Sequence, residues 1–174
     1  LDKRLTWPIE KEPEMNNPVP PSDEFQDPLE NYEPQEYNDA LEQALVEEEL
    51  RAIRHEPFSE ISPTTPVHEA VKNLASHHIA CLLVTEKNKL LGVFSERDVL
   101  SKVVLEYDQV KDLPVSKVMT TEPIYVNETD SAVAALSVMA LCGYRHVPVV
   151  DLNDNVVGIV SPQRVTEFLQ SHFQ

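Results

Sequence analysis

One pattern occurs twice along this chain, and that duplication limits the possible folds more than any other feature. The first copy opens at Thr65, a residue type that caps helices, with Pro66 at the first helical position. Its apolar stripe, Val67, Ala70, Val71 and Leu74, has the i, i+3, i+4, i+7 spacing of a buried helix face. Offset by 65 residues, Asp130 is expected to cap a second helix with the stripe Ala132, Ala135, Leu136 and Met139. Each helix leads into an apolar run, Ile79–Val84 and His146–Val150, and each run into a five-residue polar turn, Thr85–Lys89 and Asp151–Asn155. A second apolar run follows each turn, Leu90–Phe94 and Val156–Val160, and a serine, Ser95 or Ser161, then opens a further helix. From the first strand of each copy onward the offset is 66, so one residue has been inserted near Gly143.

Each copy therefore reads strand–helix–strand–strand–helix. Neither has enough apolar faces for a sound core by itself, whereas two packed about a pseudo-two-fold axis do. The expected fold class is α+β, with a first motif over 58–114 and a second over 115–174.

The segment ahead of the repeat is different in kind. Residues 1–57 hold 16 acidic and 5 basic side chains, against 14 and 9 in the remaining 117 residues, so the net charge of -16 belongs mainly to the N-terminal third. Seven prolines between Pro8 and Pro34 forbid a long helix or central strand there. Residues 1–37 are expected to form an acidic, Pro-rich extension. It is either a solvated tail or an arm that docks through Trp7, Phe25, Tyr32 or Tyr37. From 38 to 57 the pattern becomes helical, with Asp39 and Glu42 at capping-box spacing. Leu41, Leu45, Val46, Leu50 and Ile53 supply its apolar faces, Glu47–Glu49 its solvated side, and Pro57 its stop.

Composition excludes several functions. An acidic chain without a basic patch does not suit phosphate-backbone recognition, so no nucleic-acid partner is expected. No apolar run approaches the ~18 residues of a membrane span, and no signal-peptide pattern is present. Cys81 and Cys142 lie in apolar segments and are expected as buried free thiols of a cytoplasmic protein. His77–His78 has no carboxylate or thiol at ligand spacing, and Cys142 and His146 have no third orienting group, so neither metal binding nor catalysis is expected.

Three stretches carry a family resemblance. Gly92-Val93-Phe94-Ser95-Glu96-Arg97-Asp98 resembles the second-strand and helix-start motif of CBS domains, named for cystathionine β-synthase. Tyr144-Arg145-His146-Val147-Pro148-Val149-Val150 is similar to the family's first-strand motif, and Val115–Thr120 to the usual entry into a second motif. The resemblance implies a regulatory module, not an enzyme, with no required cofactor. Its two clefts would bind an adenosine-containing ligand, AMP, ADP, ATP or S-adenosylmethionine, or stay empty. It also implies a homodimer and a regulated partner protein that the sequence does not identify.

Individual residues keep two readings each. Ser95 and Asp98 fit a capping box. They also fit a ligand site in which Asp98 accepts from the ribose hydroxyls while Ser95 and the helix N–H groups hold phosphate, with Gly92 admitting the backbone close to the ligand. Arg97 is either a phosphate partner or a solvated helix residue, and Thr64 either a ligand contact or a turn residue. In the second motif Ser161 remains, but Arg164 stands where the family places an acid. A guanidinium has donors only and cannot receive the ribose. Either that cleft is empty, or Arg164, Arg145 and His146 bind phosphate from a ligand seated in the other cleft. A scaffold with vestigial clefts is the alternative to a sensor.

Overall fold

The structure, a computed structural model, describes residues 36–53, 55–77 and 79–171. The expected arm residues Trp7, Phe25 and Tyr32, and His78 of the histidine pair, lie outside the described residues.

Two sheets carry the repeat. In the first, β1 (Glu60–Ile61) pairs parallel with β2 (Cys81–Glu86), which pairs antiparallel with β3 (Lys89–Ser95). In the second, β5 (Val126–Asn127) pairs parallel with β6 (Val147–Val150), and β6 antiparallel with β7 (Val156–Val160). Helix α2 (Val67–His77) connects the parallel strands of the first sheet and α5 (Ala132–Cys142) those of the second. After β3 the chain is helical but irregular. A single turn, α3 (Glu96–Asp98), gives way to a π turn over Val99–Val103, a 3₁₀ turn, and α4 (Tyr107–Val110). The second motif instead has one regular helix, α6 (Pro162–Gln170), capped by Ser161 with proline in its first turn.

The long apolar strand runs have a physical reason. Leu82 and Val84 of β2 face the helices of their own motif, in a core with Val67, Ala70, Leu74 and Phe94. The alternate residues Cys81 and Leu83 face the other motif and meet Val156 and Ile159 of β7. Both faces of β2 are thus covered, so period-2 alternation of polarity is absent. The two hairpins also join directly, as Val156 N–H donates to Asn88 C=O at 2.9 Å.

Each motif is closed by chain from outside it. Strand β4 (Thr120–Thr121), which leads into the second motif, pairs with β3 of the first. Correspondingly, Ile159 N–H of β7 donates to His55 C=O, 3.1 Å away in the lead-in segment. Glycines make these approaches possible. A Cβ on Gly92 would lie 2.6 Å from Met119 Sδ and 2.8 Å from Thr120 O, and one on Gly158 would lie 2.6 Å from His55 O. The lead-in also completes the second core, where Leu50 and Ile53 pack with Val126, Ala132, Ala135 and Val147.

Several local expectations are corrected. The lead-in helix does not run to Pro57: α1 (Ala40–Glu47) ends when Glu48 adopts an extended conformation. Leu50 N–H then donates to Asp130 C=O at 2.7 Å and Arg51 N–H to Glu128 C=O at 2.9 Å, so tertiary bonds replace the helical ones. Thr65 does not cap α2. Its carbonyl is taken by Val115 N–H, and Pro66 C=O accepts from Ala70 N–H instead. Asp130 does not cap α5; its carboxylate accepts from Asn127 N–H at 2.8 Å. The turn between β2 and β3 is two residues rather than five, with Lys87 and Asn88 at φ 51° and 64°, the tight geometry that matches strand twist. Cys81 is buried, whereas Cys142 is only half-buried; both are free.

Candidate functional site

Two clefts lie where the motifs meet. Ala80, Cys81 and His146 line both. Ala80 and His146 are equivalent positions of the repeat, so the clefts sit back to back about this pair.

The first cleft, about 440 Å³, takes Ser95, Arg97 and Asp98 from the first motif and Tyr144, Arg145 and His146 from the second, with Val93, Pro123 and Pro148 as apolar walls. Ser95 ends β3 in an extended conformation and reverses the chain into α3 through a reciprocal capping box with Asp98. Asp98 Oδ2 accepts from Ser95 N–H at 2.9 Å and from Ser95 Oγ at 2.7 Å. Its Oδ1 accepts from Lys102 Nζ at 2.7 Å and from Thr120 Oγ1 at 2.9 Å. Asp98 is the buried charged residue among the described ones, 4% exposed. Burial opposes its charge, yet the hydrogen bonds from Lys102, Ser95 and Thr120 outweigh burial and hold the carboxyl below its ordinary range.

Arg97 spans the cleft, donating to Gly143 C=O at 3.1 Å just past the end of α5. Arg145 stands exposed at the mouth. Burial pushes the His146 imidazole below its ordinary range, helped by the positive charges of Arg164 and Arg145 and opposed by Glu96, so the ring is neutral at pH 7. Burial, with the Asp98 charge beside it, drives the Cys81 thiol up to about 12, which leaves it unreactive at the cleft floor.

The second cleft, about 380 Å³, is lined by Pro57, Phe58, Ser161 and Arg164 among others. Arg164 donates to Ile159 C=O at 2.6 Å and to Pro57 C=O at 2.5 Å. It ties α6 to the lead-in segment, a structural use for the guanidinium that replaces the acid.

Of the nine residues singled out in the sequence, Ser95, Arg97, Asp98, Arg145 and His146 converge on the first cleft, and Ser161 and Arg164, with His146, on the second. Arg145 and Arg164 line different clefts and do not form one phosphate site. Gly92 lines neither; its missing side chain makes room for Met119 and β4, not for a ligand. Thr64 is exposed in a turn, its hydroxyl on Ser62 Oγ at 2.9 Å, and also lines neither. Sequence reasoning missed Lys102, which the i, i+4 spacing from Asp98 could have revealed, and Thr120, for which no local signal exists.

Fold and site together define a two-motif module with paired clefts and no clustered metal ligands among the described residues. The family model for the CBS domain matches residues 50–105 and 110–171. The chain belongs to that family. It is 34% identical over 115 residues to the CBS domain-containing protein CBSCBSPB1 of Arabidopsis thaliana, a match covering 66% of this chain and 21% of that one. The chain thus spans about a fifth of that relative's length. Among solved structures it resembles the CBS domain protein PAE2072 from Pyrobaculum aerophilum complexed with AMP, at 23% identity and a TM-score of 0.61, covering 71% of this chain and 98% of that chain. It also resembles the CBS domain pair of protein MJ0100 in complex with 5′-methylthioadenosine and S-adenosyl-L-methionine, at 24% identity and a TM-score of 0.60, covering 71% and 97%.

Proposed function

We propose that this chain is a regulatory module that binds one adenosine-containing ligand in the first cleft and signals its occupancy to a partner protein. The observation that carries this reading is the Asp98 carboxylate, ionised and 4% exposed, on a cleft whose far wall holds Arg145 and His146. Asp98 accepts from the ribose hydroxyls, and the apolar walls take the adenine. A cation at the mouth favours a phosphate-bearing nucleoside, AMP, ADP or ATP, over the sulfonium of S-adenosylmethionine. The bound ligands of the two solved relatives support an adenosine moiety in either case.

The second cleft offers no acceptor equivalent to Asp98, so the reading assigns it no adenosine. The module works as a homodimer. Leu100, Val104 and Leu105 in the helical run after β3, exposed by 71%, 53% and 93%, supply apolar surface for a second copy. Sedimentation of a Leu105→Glu variant as a monomer checks this, and an unchanged mass refutes this surface.

A scaffold with vestigial clefts is the rival, favoured by the fact that Asp98 is already fully hydrogen-bonded. Thermal unfolding with AMP, ADP, ATP and S-adenosylmethionine in turn separates the two, because a native-state ligand at 100 times its Kd adds about 2.7 kcal/mol. A shift with one compound, lost in Asp98→Ala and weakened in the fold-neutral Arg145→Ala, identifies a sensor. No shift with any compound refutes it.

A further inference from the structure

The acid proposed to receive the ribose is saturated. A carboxylate offers about four acceptor sites, and Asp98 uses them on Ser95 N–H, Ser95 Oγ, Lys102 Nζ and Thr120 Oγ1. The two oxygens do different work. Oδ2 belongs to the capping box that starts α3, and breaking it would unravel the turn that places Asp98. Oδ1 is held by groups that α3 does not need: Lys102 in the π turn and Thr120 in β4. Lys102 is also able to leave. Its side chain is 40% exposed, and its ammonium already reaches Met119 C=O at 3.3 Å and Thr120 Oγ1 at 3.4 Å.

We propose that Lys102, with Thr120, is a built-in competitor for the ligand: the ribose diol takes Asp98 Oδ1 by displacing them. The inference rests on the reading of the first cleft as an adenosine site and adds to it the residue that sets affinity. It also supplies a route for the signal. Lys102 and Thr120 tie α3, the π turn and β4 together through one oxygen. Strand β4 is at once the edge of the first sheet and the entry to the second motif. Exchange at Oδ1 therefore removes the side-chain tie between α3 and β4, leaving the backbone pairing of β4 with β3 in place, and the free energy of that tie is subtracted from binding.

Calorimetric titration of AMP, and in parallel S-adenosylmethionine, into wild type, Lys102→Met, Lys102→Arg and Thr120→Val is the test. Lys102→Met is expected to bind about tenfold more tightly, the scale of one charge-assisted hydrogen bond. Thr120→Val should shift the same way by less, and Lys102→Arg, which keeps charge and donors, should stay near wild type. Both tightening variants should melt below wild type without ligand, since each strips a partner from a buried carboxylate. Binding by the variants alone also supports the competitor. Equal or weaker binding by Lys102→Met than by a binding-competent wild type overturns it, whereas no binding by any of the four chains refutes the adenosine site itself.

Discussion

Replacing Leu50 by alanine should destabilise the second motif, although Leu50 lies ahead of the first. Leu50 is 1% exposed and packs with Ile53, Val126, Ala132 and Ala135. Its transfer from water is worth about 1.5–3 kcal/mol, and truncation adds the cost of the cavity left behind, giving about 2–5 kcal/mol in all. The backbone cannot close that cavity readily, because Leu50 N–H is held by Asp130 C=O at 2.7 Å and Leu50 C=O by Ile53 N–H at 2.9 Å. The expected loss is therefore in the upper half of that range, about 3.5–5 kcal/mol, out of a total stability of about 5–15 kcal/mol. Urea unfolding measures the total, and hydrogen exchange locates it: α5 and α6 should lose protection before α2. Leu152→Ala, at a site 75% exposed, is the control and should change stability by less than about 0.5 kcal/mol. A loss below about 1 kcal/mol for Leu50→Ala, on the scale of an ordinary surface change, or deprotection confined to α2, would refute a lead-in segment built into the second core.

The remaining predictions concern charge and close approach. Because the folded His146 has a lowered pKa, its contribution to stability is present above its unfolded value of about 6.5 and is lost as pH falls through the folded value. Wild type should thus lose more stability than His146→Gln between pH 7 and 5 in paired urea titrations, and parallel curves would contradict this. Arg164→Met should cost about 1–3 kcal/mol by freeing two carbonyls. It should also raise the His146 pKa followed by NMR; an unmoved titration would separate the two residues electrostatically. Gly92→Ala and Gly158→Ala should each cost about 1–3 kcal/mol through overpacking against backbone. Melting curves check both, and a neutral Gly92→Ala would mean that β4 gives way easily.

The repeat made most of this fold legible in the sequence, for identifiable reasons. Ser95 and Ser161 announce helix starts through side-chain chemistry that acts within three residues, and both caps stand in the structure. The stripes through Val67 and Ala132 are set by helix period, and Val67, Ala70, Ala132 and Ala135 are all fully buried. What escaped was decided at long range. The break after Glu47 follows from bonds to Asp130 and Glu128, some 80 residues away. Thr120 reaches Asp98 because β4 folds back on β3, which neither neighbourhood encodes. Gly92 was legible as a place of close approach but not for what approaches it.

Duplication explains both the symmetry of the scaffold and the asymmetry of its clefts. Backbone demands act alike on both motifs at two places, so Gly92 and Gly158, and Ser95 and Ser161, keep matching roles at matching positions. The position three residues after each serine is less constrained, because the serine oxygen receives its N–H in both motifs, Asp98 N–H in one and Arg164 N–H in the other, and a side chain that returns the bond is used only in the first. That position was therefore able to diverge. Under the proposed function, an acid there is the acceptor for a diol once Lys102 yields it. An arginine there donates to Ile159 and Pro57 C=O and fastens α6 to the lead-in segment at the second cleft. One difference at one position thus gives the first cleft a buried carboxylate and the second a guanidinium tied to Ile159 and Pro57.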